Sequence, residues 1–392
     1  MNKSILNTGV QEFIQNNWNA DIMSVLLKKQ QFEGVSQKEL AEQLEAKKKC
    51  QSKLPTWFTV PLLYYPNKLN IEQTSSEQTA EYKASLVHGK TLLDVTGGLG
   101  VDSYFFSKKM STITHCELDQ NLSKIATHNF KILDVKNITF KAENGVESLR
   151  HSDTNFDWVF ADPSRRNEAK GKVFLLKDCL PNIPDELDAI FEKTKNVLIK
   201  SAPLLDIKQG ILELQFVKEI HVVAVKNEVK ELLWILEKEY EGDIKLKTVN
   251  LLKEGQQHFN FKLSEEKKAL SKLSLPATYL YEPNAAILKS GGFKSVGKAL
   301  GLQKLHEHSH LYTSDTLVDF PGRVFKIKTV VPYNKKAVLK LAINKANVTT
   351  RNFPEAVATI RKKLKIKDGG EDYLFFTTDI NNLCIVIHCQ KV

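Results

Sequence analysis

The stretch Thr91–Asp102, TLLDVTGGLGVD, constrains the fold of this 392-residue chain more than any other. Leu92 and Leu93 form a short apolar run that ends in an acidic residue, Asp94. Three glycines follow, Gly97, Gly98 and Gly100, and then Asp102-Ser103 leads into Tyr104-Phe105-Phe106. The pattern predicts β-strand, tight loop and α-helix. Glycines allow a backbone to take positive φ and to approach a ligand closely. The loop lacks the Lys of a phosphate-binding G-x-x-x-x-G-K-[ST], and Ser103 stands where G-x-G-x-x-G needs its last glycine. A carboxylate ahead of the glycines suits a cationic ligand better than a pyrophosphate. Alone, the stretch also fits a plain glycine-rich strand–helix turn.

The following segments repeat the arrangement. Ser111–Cys116 is a strand-like run ending at Glu117, with Asp119 just beyond. A carboxylate about 20 residues past the glycine loop is where doubly wound nucleotide-binding folds hold a ribose hydroxyl. Phe156–Ala161 is an apolar run emptying into Asp162-Pro163-Ser164-Arg165-Arg166. Strands are expected near 91–96, 112–117, 137–141, 156–161 and 196–200. Helices are expected near 102–109, 120–133, 144–150 and 177–193. Such alternation implies a parallel sheet with right-handed crossovers, whose ligands bind at the carboxyl ends of the strands. Asp94, Glu117, Asn144 and Asp162 each lie at or just past such an end.

These residues resemble the class I S-adenosylmethionine-dependent methyltransferases. DVTGGLG is similar to their first motif, with Thr96 in place of a glycine. DPSRR is similar to their [DN]-P-P-x motif, with Ser164 for the second Pro, and Asn144 stands where an Asp is usual. Outside the core, EQTSSEQTAEYKA (Glu72–Ala84), EPNAAILKSGGF (Glu282–Phe293) and RNFP (Arg351–Pro354) resemble a bacterial methyltransferase family ending in a THUMP-like domain. The resemblance implies S-adenosyl-L-methionine as cofactor. It implies that Asp94, Thr96, Gly97, Gly98 and Gly100 hold the methionine part, that Glu117 takes the ribose hydroxyls and that Asn144 faces the adenine. Asp162, which reaches the cofactor too, would face the methyl acceptor with Pro163, Ser164 and Arg165. Arg165-Arg166 replaces the aromatic residue that amino-methyltransferases carry after the prolines. Guanidinium stacks on a base or binds phosphate. Ser75 or Ser76 fits two roles, a helix cap or a hydroxyl that helps to hold the methionine carboxylate, and Ser76 is the one taken as a cofactor-binding candidate.

Charge separates the chain into unequal parts. The formal net charge is +10, and residues 321–392 hold 14 Lys/Arg against 5 Asp/Glu, or +9. A near-neutral core with a basic appendage points to a polyanionic partner. Arg361, Lys362, Lys363, Lys365 and Lys367 are the candidate RNA contacts, and the same cluster also suits the C-terminal end of its helix dipole. No run of about 18 apolar residues exists, so no membrane span is expected. The polar start MNKSILNTGVQEF and five scattered cysteines lead to a cytoplasmic, reducing compartment as the expectation. No metal signature is present, although His306, His308 and His310 alternate; an exposed loop is the expected setting for them.

The expected fold class is α/β. It has a doubly wound, mostly parallel Rossmann-like methyltransferase sheet, an N-terminal helical region and small C-terminal α+β domains, ferredoxin-like and THUMP-like by the resemblance. The expected division is 1–71 (helices and a proline-rich connector), 72–265 (methyltransferase domain), 266–320 (ferredoxin-like) and 321–392 (basic THUMP-like). Trp57, Tyr64 and Tyr65 in the connector are expected to pack rather than to line a site. Ser36 and Glu39 form a capping-box pattern. Strands near 219–225, 231–237, 245–251 and 257–263 are expected to close the sheet in antiparallel fashion. Arg323–Val330 and Ala337–Ile343 are expected strands, Glu355–Leu364 a helix, and Tyr373–Thr377 and Leu383–His388 a hairpin. The expected function is methylation of a base in rRNA or tRNA. The alternatives are a protein or small-molecule methyltransferase, or a non-catalytic module that binds cofactor or RNA.

Overall fold

In the computed structural model, which describes residues 1–165 and 175–392, the chain forms two units. One is Met1–Lys218 with Leu233–Glu241, and the other is Glu219–Leu232 with Gly242–Val392. The first unit contains β1 (Thr91–Asp94), β2 (Thr112–Cys116), β3 (Ile138–Lys141), β4 (Trp158–Ala161), β5 (Ser164–Arg165), β6 (Cys179–Leu180) and β7 (Asn196–Ser201). β7, β4, β1, β2 and β3 lie side by side in that order, and every pair is parallel. β1 therefore has β2 on one side and β4 on the other. The chain order reverses there, which makes the crevice beyond β1 the topological switch point of the sheet. Leu92, Leu93, Val159, Phe160, Val197, Leu198 and Ile199 are all buried, as expected of strands covered on both faces.

Local sequence explains where the helices begin. Asp119 caps Gln120–Ile132 by accepting from the amides of Asn121 (2.7 Å) and Leu122 (3.1 Å). Ser36 and Glu39 form the predicted capping box at the head of Gln37–Lys53. That helix buries Leu40, Leu44 and Cys50, together with Gln43 and Lys47, whose polar ends are satisfied. Gln43 exchanges bonds with the backbone of Tyr65, and the Lys47 ammonium donates to Phe58 O at 2.9 Å. The connector is thus packing material: Trp57, Tyr64 and Tyr65 are buried. The helix expected over 177–193 starts only at Ile183. Pro181 and Pro184 account for the delay, since proline fits the first turn of a helix and not its interior.

The second unit holds β8 (Val217–Val225), which starts two residues earlier in the chain, β10 (Lys245–Leu251) and β11 (Gln256–Lys262). Between them in sequence lies β9 (Glu228–Glu237), whose residues are divided between the two units at Leu232 and Leu233. β10 pairs antiparallel with β11 but parallel with β8, so the expectation of an antiparallel closure holds only for the first of these pairs.

The remaining strands are β12 (Tyr279–Pro283), β13 (Gln303–Lys304), β14 (Tyr312–Ser314), β15 (Gly322–Pro332), β16 (Lys345–Arg351), β17 (Lys367–Thr378) and β18 (Cys384–Lys391). They make a single seven-stranded sheet, β13–β14–β12–β15–β18–β17–β16. Ala337–Ile343, expected as a strand, is instead the short helix Lys335–Leu339, started by Asn334 accepting from Ala337 N at 2.8 Å. The alternation that suggested a strand puts Leu339 on the apolar face, yet Leu339 is 52% exposed while Val338 is buried. The strand of this region is the more polar β16, whose Ala346 and Val348 enter the core.

Two motifs singled out in the sequence meet in this unit. Glu282, 3% exposed, accepts from Arg323 Nε at 2.6 Å and from Arg351 at 2.9 Å. The carboxylate therefore ties β12 to both β15 and β16. Replacing Glu282 with Ala should cost about 1–3 kcal/mol, the range for a lost charged hydrogen-bond partner, because the two arginines remain partly hydrated. Urea denaturation of the full chain reads this, with Glu282→Gln falling between the variant and the wild type.

Candidate active site

The first four strand ends of the first unit carry the polar groups. Asp94, 1% exposed, accepts from Ser103 Oγ at 2.6 Å and from Thr96 N at 3.0 Å. Burial pushes its carboxyl up to about 7, and the nearby charges of Asp102 and Asp162 push the same way against the two hydrogen bonds. Glu117 accepts from Gly98 N and from Asp119 N, each at 2.7 Å, so both of its oxygens are fixed while each keeps a free lone pair. Asn144 caps the helix Gly145–Arg150 through Val146 N at 3.0 Å. A hollow of about 290 Å³ lies beside it, lined also by Lys141, Glu143, Glu147, Ser148 and His151.

The glycine loop is shaped from beneath. A Cβ on Gly97 would lie 1.8 Å from the His115 ring, so only glycine fits over that imidazole. His115 is 1% exposed, its ring nitrogens have no partner among the described residues, and burial lowers its pKa to about 4. It is a neutral filler under the loop at neutral pH. Gly98 has φ +57° and, on its Cβ side, meets nothing nearer than Thr96 O at 3.8 Å. The loop is therefore closed toward the sheet and open on the outside. Gly100 then starts the helix Val101–Ser107.

The helix Glu77–Ala84 braces the same loop. Ser76 caps it by accepting from Thr79 N at 3.2 Å. Ser75 donates to Asp102 Oδ2 at 2.7 Å, and the fully buried Lys83 lies 3.2 Å from Asp102 Oδ1. Glu77 accepts from Thr56 N at 2.7 Å and from Thr56 Oγ1 at 2.8 Å. Much of EQTSSEQTAEYKA thus fastens one helix to the first turn of another. Sequence reasoning offered Ser75 or Ser76 as the cap, which is Ser76, and missed the pairing of Lys83 with Asp102, because buried ion pairs leave no periodic signal.

The loop that follows β4 at Asp162 joins the glycine loop directly. Asp162 N donates to Thr96 Oγ1 at 2.7 Å, and the Asp162 carboxylate is ion-paired with Lys200 at the end of β7. Pro163 is buried and Ser164 exposed. β5 and β6 pair antiparallel beside them, Ser164 opposite Leu180. The side chain of Arg165 and the whole of Arg166 lie outside the described residues. Asp94, Thr96, Gly97, Gly98, Gly100, Glu117, Asn144 and Asp162 thus share one sheet edge, with Ser76 on the bracing helix.

Of the basic candidates in the second unit, Arg361 is committed to Asp368 and to Ala346 O, and Lys363 to Glu355 and Tyr333. Lys362, Lys365 and Lys367 are exposed and make no ion pair among the described residues. His306 bonds to Asn382 and Asn352, and His310 stacks on Phe293 with ring centroids 3.6 Å apart. Among the described residues no group of three or more His, Cys, Asp or Glu could hold a metal ion, and no helix is long and apolar enough to cross a membrane.

Comparison with known proteins agrees with this architecture. Residues 279–321 match a ferredoxin-like domain and residues 322–391 a THUMP domain-like family. The chain is similar over its whole length to the crystal structure of a candidate methyltransferase from Porphyromonas gingivalis W83. The two are 29% identical with a TM-score of 0.90, over 100% of this chain and 98% of that one. An uncharacterized RNA methyltransferase of Mycoplasma mobile is 26% identical over 92 residues, which is 24% of this chain. The chain matches only 25% of that relative's length.

The raised Asp94 pKa has a measurable consequence. Below about pH 4 the carboxyl is protonated in both folded and unfolded states, and its contribution to stability is complete. As pH rises toward 7 the unfolded chain loses the proton first, so stability falls, by roughly 4 kcal/mol at most for a shift of this size. Asp94→Asn should flatten the pH 4–7 limb of the stability curve measured by urea denaturation.

Proposed function

We propose that this chain, an S-adenosylmethionine-dependent methyltransferase with a THUMP-like C-terminal domain, takes a base in RNA as its methyl acceptor. The observation that carries the chemistry is the Asp162 N to Thr96 Oγ1 bond, which sets the cofactor loop and the acceptor loop one hydrogen bond apart. The donor and acceptor set fits the cofactor. Fixed carboxylates without a phosphate-binding lysine suit a ligand with a cationic sulfonium and ribose hydroxyls, and the outside of Gly98 is open to receive it.

S-adenosylmethionine, when bound, supplies an electrophilic methyl whose bond to sulfur breaks as the bond to the acceptor forms, leaving a neutral thioether. The protein's own share is positioning. Glu117 accepts from the ribose hydroxyls with the lone pairs left by Gly98 N and Asp119 N. Asn144 keeps its amide NH₂ for the adenine, since its oxygen is used in capping. Asp94, Thr96, Gly97 and Gly100 shape the methionine end, with Ser76 at the bracing helix. Asp162 and the Pro163 carbonyl accept from the N–H of the acceptor nitrogen, whose proton then passes to solvent. Ser164 and Arg165 border that position. A base reaches such an edge only when unpaired or flipped out. The cytoplasm, where rRNA and tRNA are modified, is the compartment this reading requires.

The support for RNA is the +9 concentrated in residues 321–392 and the similarity to an RNA methyltransferase. Lys362, Lys365 and Lys367 are the phosphate contacts with free ammonium groups; Arg361 and Lys363 would have to give up internal partners. Tritiated methyl transfer into total RNA from a strain lacking the protein tests the activity. Asp162→Ala should lower the rate at least about tenfold, the scale of one well-placed transition-state contact. Gly98→Arg should abolish calorimetric binding of S-adenosylhomocysteine, because the left-handed backbone resists a side chain that would also fill the open face. Salt titration of RNA binding tests the basic surface. Replacing Lys362, Lys365 and Lys367 with Gln should make the log–log slope shallower by about 0.7 per lost phosphate contact, with cofactor binding unchanged. An unchanged slope would remove RNA from the reading and favour a protein or small-molecule acceptor.

A further inference from the structure

We propose that Lys200 is a positioning residue for methyl transfer, acting by aiming the Asp162 carboxylate at the acceptor. The inference rests on the reading of Asp162 as facing that acceptor. Lys200 follows directly on the paired part of β7, where Ile199 lies opposite Ala161 of β4. These neighbouring strands run parallel, so Lys200, the last residue but one of β7, and Asp162, just past β4, stand side by side. The Lys200 ammonium contacts Asp162 Oδ2, and the two side chains are 14% and 30% exposed. An ion pair this sheltered is screened less than a surface pair. It also lies where carboxylates crowd, since Asp162 is near enough to Asp94 to help to raise its pKa.

Two restraints then act on Asp162. Its backbone amide is held by Thr96 Oγ1, and its carboxylate by Lys200. With Oδ2 committed to the ammonium, Oδ1 is the oxygen that remains to accept from an acceptor N–H. A freely rotating carboxylate would point at the acceptor only part of the time, and effective positioning depends on a narrow range of geometries. Lys200 itself does not touch the acceptor or the cofactor in this account. The sequence carries the signal faintly: VLIKS ends an apolar strand on a charged residue, as TLLD does.

The test uses the full chain with Lys200→Met, Lys200→Arg, Asp162→Asn and the double variant Lys200→Met/Asp162→Asn. The probe is methyl transfer into RNA from the deletion strain, together with calorimetry of S-adenosylhomocysteine. Lys200→Met should lower kcat about tenfold with KM for RNA and affinity for S-adenosylhomocysteine within about twofold. Lys200→Arg should recover most of the loss, since it restores a cation to Oδ2. In the Asp162→Asn background Lys200→Met should have little further effect, because the residue it serves is already changed. An unchanged kcat, full additivity of the two losses, or a parallel fall in cofactor affinity would each overturn the proposal. Urea denaturation of the same four variants decides whether the pair is coupled even if no methyl enters the RNA. Additive destabilisation there would overturn the role of Lys200, whereas coupling without any RNA methylation would overturn only the acceptor class.

Discussion

The Thr96 hydroxyl is the joint on which the candidate site depends. It accepts from Asp162 N and lies 3.5 Å from Asp94 Oδ1, while Thr96 N donates to the same oxygen of Asp94. Two loops from neighbouring strands are thereby referred to one buried carboxylate. Asp94 can serve as that reference because Ser103 fixes its other oxygen. In a low-dielectric setting each of these bonds is stronger than its equivalent in water, and each missing partner would be correspondingly costly. The site is thus preorganised by a small polar network beneath it.

Part of this was legible in the sequence and part was not, for physical reasons. Parallel strands buried on both faces read as apolar runs, and Asp94, Glu117 and Asp162 announce themselves by ending such runs. Asn144 follows the same rule at one remove. The capping box at Ser36 was legible because its logic is local. The network behind the site was not. Ser75, Lys83 and Asp102 come together only through tertiary packing, and Lys200 meets Asp162 across 38 residues. His115 illustrates the limit well: in sequence it is one polar residue in THC, and in the fold its ring is the floor that requires Gly97. The second unit misled most at Ala337–Ile343, where two residue phases fit two different structures and an asparagine cap decided between them.

The basic C-terminal segment also looks different once its partners are known. Net charge counts every lysine and arginine alike, but Arg323 and Arg351 are bound to Glu282, Arg361 to Asp368 and Lys363 to Glu355. Internal commitments of this kind lower the charge offered to a polyanion below what composition suggests. They also bear on its location: of the five basic candidates on and just past helix Val357–Leu364, Lys362, Lys365 and Lys367 are exposed without an ion pair among the described residues.

The seven-stranded sheet bears on how this chain can be inherited. The ferredoxin-like match ends at residue 321 and the THUMP-like match begins at 322, yet β12 and β15 on either side of that border are hydrogen-bonded neighbours, Tyr279 opposite Lys326 through Pro283 opposite Gly322. A gene break at that border would leave an eleven-residue strand with an open edge on one product and strip the arginine partners from Glu282 on the other. Open edges of that length invite pairing with other chains. The two segments are therefore expected to travel through genomes as one cassette, and a lineage that sheds one should shed the other.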